Sequence, residues 1–509
     1  MAVAEWFAVP SLWLLTKSLF IGFIPLYFIT VICNALYNVF LHPLRKYPGP
    51  TLRAAFQLPD MLSLLRGTAY KDTKALHDKY GSVVRLAPNT LSYNSSQAWK
   101  DIYGLKPDRS ELDKHPAYYK RSSRNLLVVN QADHTRMRKL IAHAFSDTAL
   151  LEQSPILTKY FDLLVERLKQ QIDGPEKGRL NIAAWFNFTT FDIIGDMTLG
   201  EPFGALKTET ILHGCGANVF SAIKFLGVIR FAETYLIVGL LLLLLQKSMP
   251  SLAKKRAAHL EYTKKMIDAR LARETDRNDF MTYILRHNDE RGMSYQELVG
   301  TCRVFLVAGS ETTATLLSGA IFYLLQNPSC MDKLKREVRE AFPTANDITM
   351  RSVTSSGRLS YMEAVLQESF RCYPPVPSTL PRITGSGGAI IDGKFVPPGT
   401  SVGVNQWSAY RSSSNFASPN TFDPGRWLPD APGKYRGDNK AVLQPFTLGP
   451  RQCIGKGLAY FELRSILSRM MWHFEIELDT DSRGWLDNPR EFALWDKPPL
   501  WVRLRHRTD

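Results

Sequence analysis

Phe446-Thr447-Leu448-Gly449-Pro450-Arg451-Gln452-Cys453-Ile454-Gly455 decides the reading of this chain, because it sets one cysteine in a turn suited to presenting sulfur to a metal. Gly449 and Gly455 let the backbone bend closely around the sulfur, and Arg451 places a cation shortly before it. Thiolate is the ligand form of cysteine, and nearby positive charge together with backbone N–H groups stabilises it. A free thiol is more usually a buried structural residue. An aromatic residue, two glycines, an arginine and a cysteine rarely fall at five fixed positions by chance, which weighs against that simpler reading.

The rest of the composition narrows the setting. With 509 residues and 45 % apolar content the chain can bury a large core. The signatures described below fill it up to Cys453, so no room is expected for a fused flavin reductase, and electrons would come from a separate protein. The net charge of +15 would suit nucleic acid, anionic lipid or an acidic protein. Nucleic acid is not expected, since the Lys and Arg residues are scattered and show no aromatic-interleaved basic motif. The 6 cysteines lack metal or disulfide spacing and fit a reducing compartment.

Residues 19–41 carry no charge and, as a helix, reach roughly 34 Å, enough to cross a bilayer core. A cleaved signal peptide fits less well: the apolar run is too long, its basic flank follows it, and no small-x-small cleavage site stands out. Arg45 and Lys46 beyond the run, against Glu5 before it, place the downstream side in the cytosol. The expected organisation is therefore a lumenal segment 1–18, a transmembrane anchor 19–41, a basic and proline-rich hinge 42–50 through Tyr47-Pro48-Gly49-Pro50, and a catalytic domain 51–509. A second apolar run, 235–245, is too short to span. It reads either as a core helix or as a loop that dips into the headgroup region, with basic residues after it.

Ser294 and Glu297 have capping-box spacing, and an apolar helical stretch continues to Gln326 before Asn327-Pro328 stops it. In its middle stands Ala308-Gly309-Ser310-Glu311-Thr312-Thr313. A glycine and a threonine whose hydroxyl can bond the Ala308 carbonyl together predict a local opening of the helix. Ser360 and Glu363 predict another capped helix, ending at Pro374-Pro375, with Glu368 and Arg371 on one face. Such a pair is weak evidence alone. Gln131 opens a helix that carries His134 and Arg138 on one face, and 396–406 reads as a turn closing a hairpin.

Taken together these stretches resemble the cytochrome P-450 family of haem-thiolate monooxygenases, over essentially the whole chain after residue 42. The resemblance implies a mainly α fold with a smaller β-rich part, here preceded by one N-terminal transmembrane helix. It makes Cys453 the axial ligand of haem b iron, with Phe446 and Arg451 in the same loop. Ala308 to Thr313 is similar to the oxygen-binding signature, so Glu311 would pass protons and Thr312 would orient water and oxygen. Glu368 and Arg371 would form the structural triad with Arg426, where Gly425 stands in place of the family's usual glutamate. His134, Arg138 and Arg382 would meet the haem propionates, which are costly to bury without partners. Val304, Phe305, Ala308, Val376, Ser378 and Thr379 fall where the family lines its substrate pocket.

The implied activity is insertion of one oxygen atom into a small hydrophobic molecule, with electrons from NADPH through a membrane-bound NADPH-cytochrome P-450 reductase and cytochrome b5 as a further donor. The stretches 40–50 and 397–407 resemble fungal microsomal enzymes of secondary metabolism (polyketide, terpenoid, alkaloid or mycotoxin pathways). This implies single-pass residence in the endoplasmic reticulum membrane. Xenobiotic detoxification is the alternative. A haem sensor or carrier would need Cys453 without Glu311 and Thr312 opposite it, and a cysteine hydrolase would need a histidine base instead of haem.

Overall fold

Ser294 opens the longest helix as the sequence predicts. Its hydroxyl accepts the Glu297 N–H, and the Glu297 carboxylate takes the Ser294 N–H at 2.9 Å, closing the capping box. In the computed structural model, which describes residues 25–106, 110–119, 124–210, 224, 227–235, 250–273, 275–288, 292–355 and 357–507, the helix Tyr295–Gln326 runs unbroken for 32 residues. At 1.5 Å per residue that is roughly 48 Å, long enough to cross the whole protein. It is also apolar enough to span a membrane, yet 67 % of its most apolar window is buried inside the protein, so it is the core helix. The expected opening around Gly309 is not present. A β-carbon on Gly309 would lie 2.6 Å from Ile194 Cδ1, so the glycine lets helix Ile182–Leu199 pack close. The Thr312 hydroxyl does donate to Ala308 O, at 2.6 Å, without breaking the helix.

Helix Ser360–Cys372 starts differently from the local pattern. Ser360 already lies inside the helix and forms no capping box with Glu363. Glu337, from the neighbouring helix Pro328–Ala341, instead accepts the Tyr361 and Met362 N–H groups at 2.7 and 2.8 Å. A carboxylate at a helix N-terminus satisfies free donors and the helix dipole together. A tertiary partner has replaced the local cap.

The strands form the smaller part. A five-stranded sheet has the order Val83–Ala87, Thr90–Tyr93, Ser401–Val404, Arg382–Ile383, Asp113–Lys114, and its last pairing sets Lys114 opposite Arg382. Ala389–Ile391 and Lys394–Val396 make a hairpin of their own. The turn at 397–400, expected to close a hairpin, therefore passes the chain from one sheet to another, held by Thr384 N–H on Thr400 O at 3.0 Å and Thr400 N–H on Thr384 Oγ1 at 2.8 Å. Arg179–Asn181, Trp501–His506 and Phe474–Leu478 form a third sheet, and Arg490–Glu491 pairs with Trp495–Asp496 near the carboxyl end.

At the amino end, Pro25–Leu41 is an apolar helix whose Leu26, Phe28, Ile29 and Ile32 side chains are exposed. Residues 1–24, which include the start of the expected anchor, lie outside the described residues, as does the run 236–245. The proline-rich stretch after the helix is docked on the fold. Arg85 N–H bonds Pro48 O at 2.7 Å, and a β-carbon on Gly49 would meet Arg85 O at 2.5 Å.

Candidate active site

Gly449 shapes the cysteine loop. Its φ of +74° is left-handed, and a β-carbon there would meet Tyr103 O at 2.1 Å, so glycine alone fits. Gln452 N–H bonds Gly449 O at 3.1 Å and Cys453 N–H bonds Phe446 O at 2.9 Å, which closes the loop just before helix Lys456–His473. The Phe446 ring is fixed against Phe370 and Tyr460, at 5.2 and 5.4 Å between centroids. Burial pushes the Cys453 thiol up, while the Gly455 N–H, Arg138 and Lys456 pull it down. Arg451 does not take the place beside the sulfur that its sequence position suggests. Its Nε lies 2.6 Å from Glu111 Oε1 and its Nη2 donates to Val129 O at 3.0 Å. Arg138 stands there instead, donating to Gln452 O at 2.7 Å.

Arg451 belongs to a cluster of cations. Lys114, His134, Arg138, Arg382 and Arg451 act on one another strongly enough that burial, then Arg451, Arg138, Lys114 and Arg382, push His134 down to about 3. Burial, followed by Arg382 and Arg451, likewise holds Lys114 well below the ordinary lysine range. Against them stands Glu111, 2.6 Å from Arg451 and 3.9 Å from Arg382. Among the described residues Arg451 Nη1 is buried without a hydrogen-bond partner. Uncompensated buried cations are costly, so the cluster calls for anions, and the two propionates of a haem fit that demand with the Cys453 sulfur nearby. Lys114 and Glu111 were not legible in the sequence: each sits alone in a short irregular stretch, and only pairing with the strand of Arg382 brings Lys114 in.

On the long helix, Val304, Ala308 and Thr312 are accessible or half-buried, whereas Phe305, Leu306, Ser310 and Thr313 are buried. Residues four apart share a helix face, so these three form one stripe that the core packing leaves at least partly uncovered. Val376, Ser378 and Thr379 are half-buried in the segment that leads to Arg382. Phe305, expected in the pocket, is only 6 % exposed and packs on Phe145 and Phe280 at 5.5 and 6.0 Å. One step along a helix is a turn of about 100°, which carries its ring off the stripe and into the core. Glu311 accepts from Lys497 Nζ at 2.8 Å, and the same ammonium donates to Thr315 Oγ1 at 2.7 Å. Thr313 faces Glu462, a buried acid that desolvation pushes up to about 8 against the Thr313 hydroxyl bond.

Glu368, Arg371 and Arg426 meet in one fully enclosed cluster. Arg371 Nε and Nη2 clasp the two Glu368 oxygens at 2.8 Å each, Arg426 Nε adds a bond at 3.1 Å, and all three side chains are 0 % exposed. Trp427 Nε1 and Asp423 N–H complete the shell of Glu368 at 2.9 and 2.8 Å. The loop does not lack support at Gly425. Asp423 caps it through Gly425 N–H at 2.9 Å, and Asp438 takes Arg426 Nη1 at 2.6 Å.

Cys453 in a glycine-shaped loop, a buried cation cluster suited to two carboxylates and a core helix carrying Glu311 and Thr312 are features that a haem-thiolate protein would need. The sequence model of the Cytochrome P450 family matches residues 46–502, and the chain belongs to that family. It is similar to cytochrome P450 monooxygenase astJ of Aspergillus oryzae, 41 % identical over 479 residues, which cover 93 % of this chain and 94 % of that protein. It is also similar to averantin hydroxylase of Dothistroma septosporum, 41 % identical over 93 % of this chain and 89 % of the relative. Cytochrome P450 monooxygenase FUM2 of Gibberella moniliformis is 37 % identical, with 92 % and 99 % covered. The protein is a cytochrome P450 monooxygenase, and haem is the cofactor its family implies.

Proposed function

We propose that this enzyme hydroxylates a small hydrophobic intermediate of fungal secondary metabolism, with Cys453 as the iron ligand and Glu311 and Thr312 as the proton path. The observation that carries the reading is the Thr312 hydroxyl, bonded to Ala308 O at 2.6 Å on the accessible stripe of an otherwise buried helix. A sensor or carrier has no use for a hydroxyl and an acid at that place. Haem, when bound, supplies an iron centre whose thiolate ligand favours O–O cleavage. The chain's own part is to hold and supply protons. His134, Arg138, Arg382 and Arg451, joined by Lys114, hold the propionates; Thr312 orients water; Glu311 carries protons from solvent. Val304, Ala308, Val376, Ser378 and Thr379 offer the substrate an apolar wall with two hydroxyls. The averantin hydroxylase among the relatives supports hydroxylation as the reaction.

The exposed apolar helix Pro25–Leu41, followed by Arg45 and Lys46, supports a single-pass anchor in the endoplasmic reticulum with the catalytic domain in the cytosol. Electrons then come from NADPH through the membrane-bound reductase. Exposed Lys139 and Lys456 beside the cysteine loop suit an acidic partner. Cys453→Ser tests the assignment, because an alcohol cannot replace a thiolate as donor. The reduced carbon monoxide spectrum of the variant is expected to lose the red-shifted thiolate band completely, and persistence of that band overturns the reading.

A further inference from the structure

Glu491 is the buried acid of the carboxyl-terminal hairpin. It lies opposite Trp495 in the pairing of Arg490–Glu491 with Trp495–Asp496, and only 1 % of it is exposed. Its backbone N–H bonds Gly67 O at 3.0 Å, which fixes the main chain from outside the hairpin. The two carboxyl oxygens are treated unequally. Oε1 accepts the Ala493 N–H in the turn, where Ala493 holds a φ of +72°. Oε2 is buried without a hydrogen-bond partner among the described residues. The side-chain group that stands against this carboxyl is the Ser378 hydroxyl.

Three contacts hold that serine's segment to the hairpin. Trp495 Nε1 bonds Pro374 O at 2.8 Å, Trp407 N–H bonds Pro377 O at 2.9 Å, and the Trp407 and Trp495 rings meet at 5.3 Å between centroids. Ser378 itself is half-buried, and Arg382 of the cation cluster follows four residues on. Lys497, just beyond the hairpin, reaches Glu311, the neighbour of Thr312. The Glu491–Ser378 pair thus belongs to the two segments that carry Arg382 and reach the core helix. A serine hydroxyl has one proton to donate and two lone pairs to offer. A buried carboxylate oxygen left unpaired is costly, and a hydrogen bond to a charged group is stronger than one between neutral groups, so Oε2 claims the Ser378 proton. Because Oε2 is closed to solvent, a bound molecule meets Ser378 rather than Glu491. What the serine then presents is its lone pairs.

We propose that Glu491 is a positioning residue that takes the Ser378 proton and so makes Ser378 an acceptor, selecting substrates that place a hydroxyl, phenolic or alcoholic, against it. The proposal rests on the reading of Ser378 as part of the substrate wall. An ether or ketone in the same place sets lone pairs against lone pairs and loses the hydrogen bond, and a site built to bond a hydroxyl rejects the analogue without one.

The test uses the full-length, haem-loaded enzyme and two probes of similar shape, β-naphthol and its methyl ether, titrated against the ligand-induced spectral change. It is run at about pH 8, where Glu491, pushed up by burial to about 7, is ionised. The parent is expected to bind the naphthol about tenfold more tightly than the ether. Ser378→Ala is expected to bind the two equally. In Glu491→Gln the amide oxygen keeps the Ala493 N–H, and the amide NH2 takes the place of Oε2 and donates to Ser378. The serine proton then turns outward, so the preference is expected to vanish and the ether to gain. A parent that binds both probes equally, or neither, overturns the proposal, as does a Glu491→Gln enzyme that keeps the preference. If Ser378→Ala keeps the preference, the serine is no substrate contact at all. Should Glu491→Gln not fold, the parent and Ser378→Ala are compared again at about pH 6, where the acid carries its proton. Tyr70 and Tyr118, which feel its charge, are both pushed up by burial and stay neutral at either pH. An undiminished preference in the parent there overturns the proposal. The reduced carbon monoxide spectrum of the same preparations separates the two readings: loss of the thiolate band in the parent fails the proposed function, whereas a normal band with equal affinities fails only the role of Glu491.

Discussion

Glu368 and Glu311 are both carboxylates in the interior, and both meet a cation, yet they are built for opposite purposes. Glu368 is met by two arginines, an indole N–H and a backbone N–H, with no exposed surface left. Glu311 is met by one lysine and keeps part of its side chain exposed. A carboxylate whose acceptor sites are saturated in a dry core has nowhere to go, because each lost bond leaves a buried group unpaired. A single side-chain cation and a partly exposed carboxyl leave more room for exchange. Glu462 adds a third case: a buried acid met by the Thr313 hydroxyl, which burial pushes up to about 8. The number and charge of partners, rather than burial alone, distinguish the three carboxyl groups.

The largest effect is expected where saturation is broken. Glu368→Ala leaves Arg371 and Arg426 buried without their shared anion, at a cost of about 3–5 kcal/mol. Expression of this variant is expected to yield no haem-loaded protein, read from the Soret band of purified material. A stable, coloured variant would show that Asp438 and the carbonyls around the arginines suffice, and the contrast with Glu311 would lose its force.

Next comes the proposed proton path. Thr312→Ala is expected to leave substrate-induced spectral change and haem content intact while product per NADPH falls roughly tenfold, the difference appearing as hydrogen peroxide. Unchanged coupling would make Thr312 a packing residue and direct attention to Thr313.

The smallest effect sharpens the third case. Glu462 ionises at an ordinary carboxylate value when unfolded and at about 8 when folded. Below pH 4.5 both states hold the proton and nothing is lost. As pH rises from there to 8 the unfolded chain gives up its proton first, so stability falls across that window and levels off above it. Glu462→Gln is expected to flatten the fall, narrowing the gap in melting temperature between pH 5 and pH 8. An equal gap in parent and variant would mean that Glu462 already ionises in the folded protein.

The cysteine loop, the long capped helix, the acid–alcohol pair and the triad residues were legible because each is a local pattern. A glycine is needed where a turn forbids a β-carbon, Ser294 and Glu297 cap within one turn, and Glu368 and Arg371 meet within one turn. What the tertiary structure alone decided was partnership across distance. It gave Arg451 to Glu111 instead of Cys453, assigned Gly309 to the approach of Ile194, capped Ser360–Cys372 with Glu337, turned Phe305 into the core, and placed Lys497 on Glu311. These pairings join segments far apart in the chain, and no periodicity or spacing records them. The sequence could name candidate groups for the chemistry because helix and turn geometry act over a few residues, whereas charge balance in a buried site is settled by whatever the folded chain brings within hydrogen-bond distance.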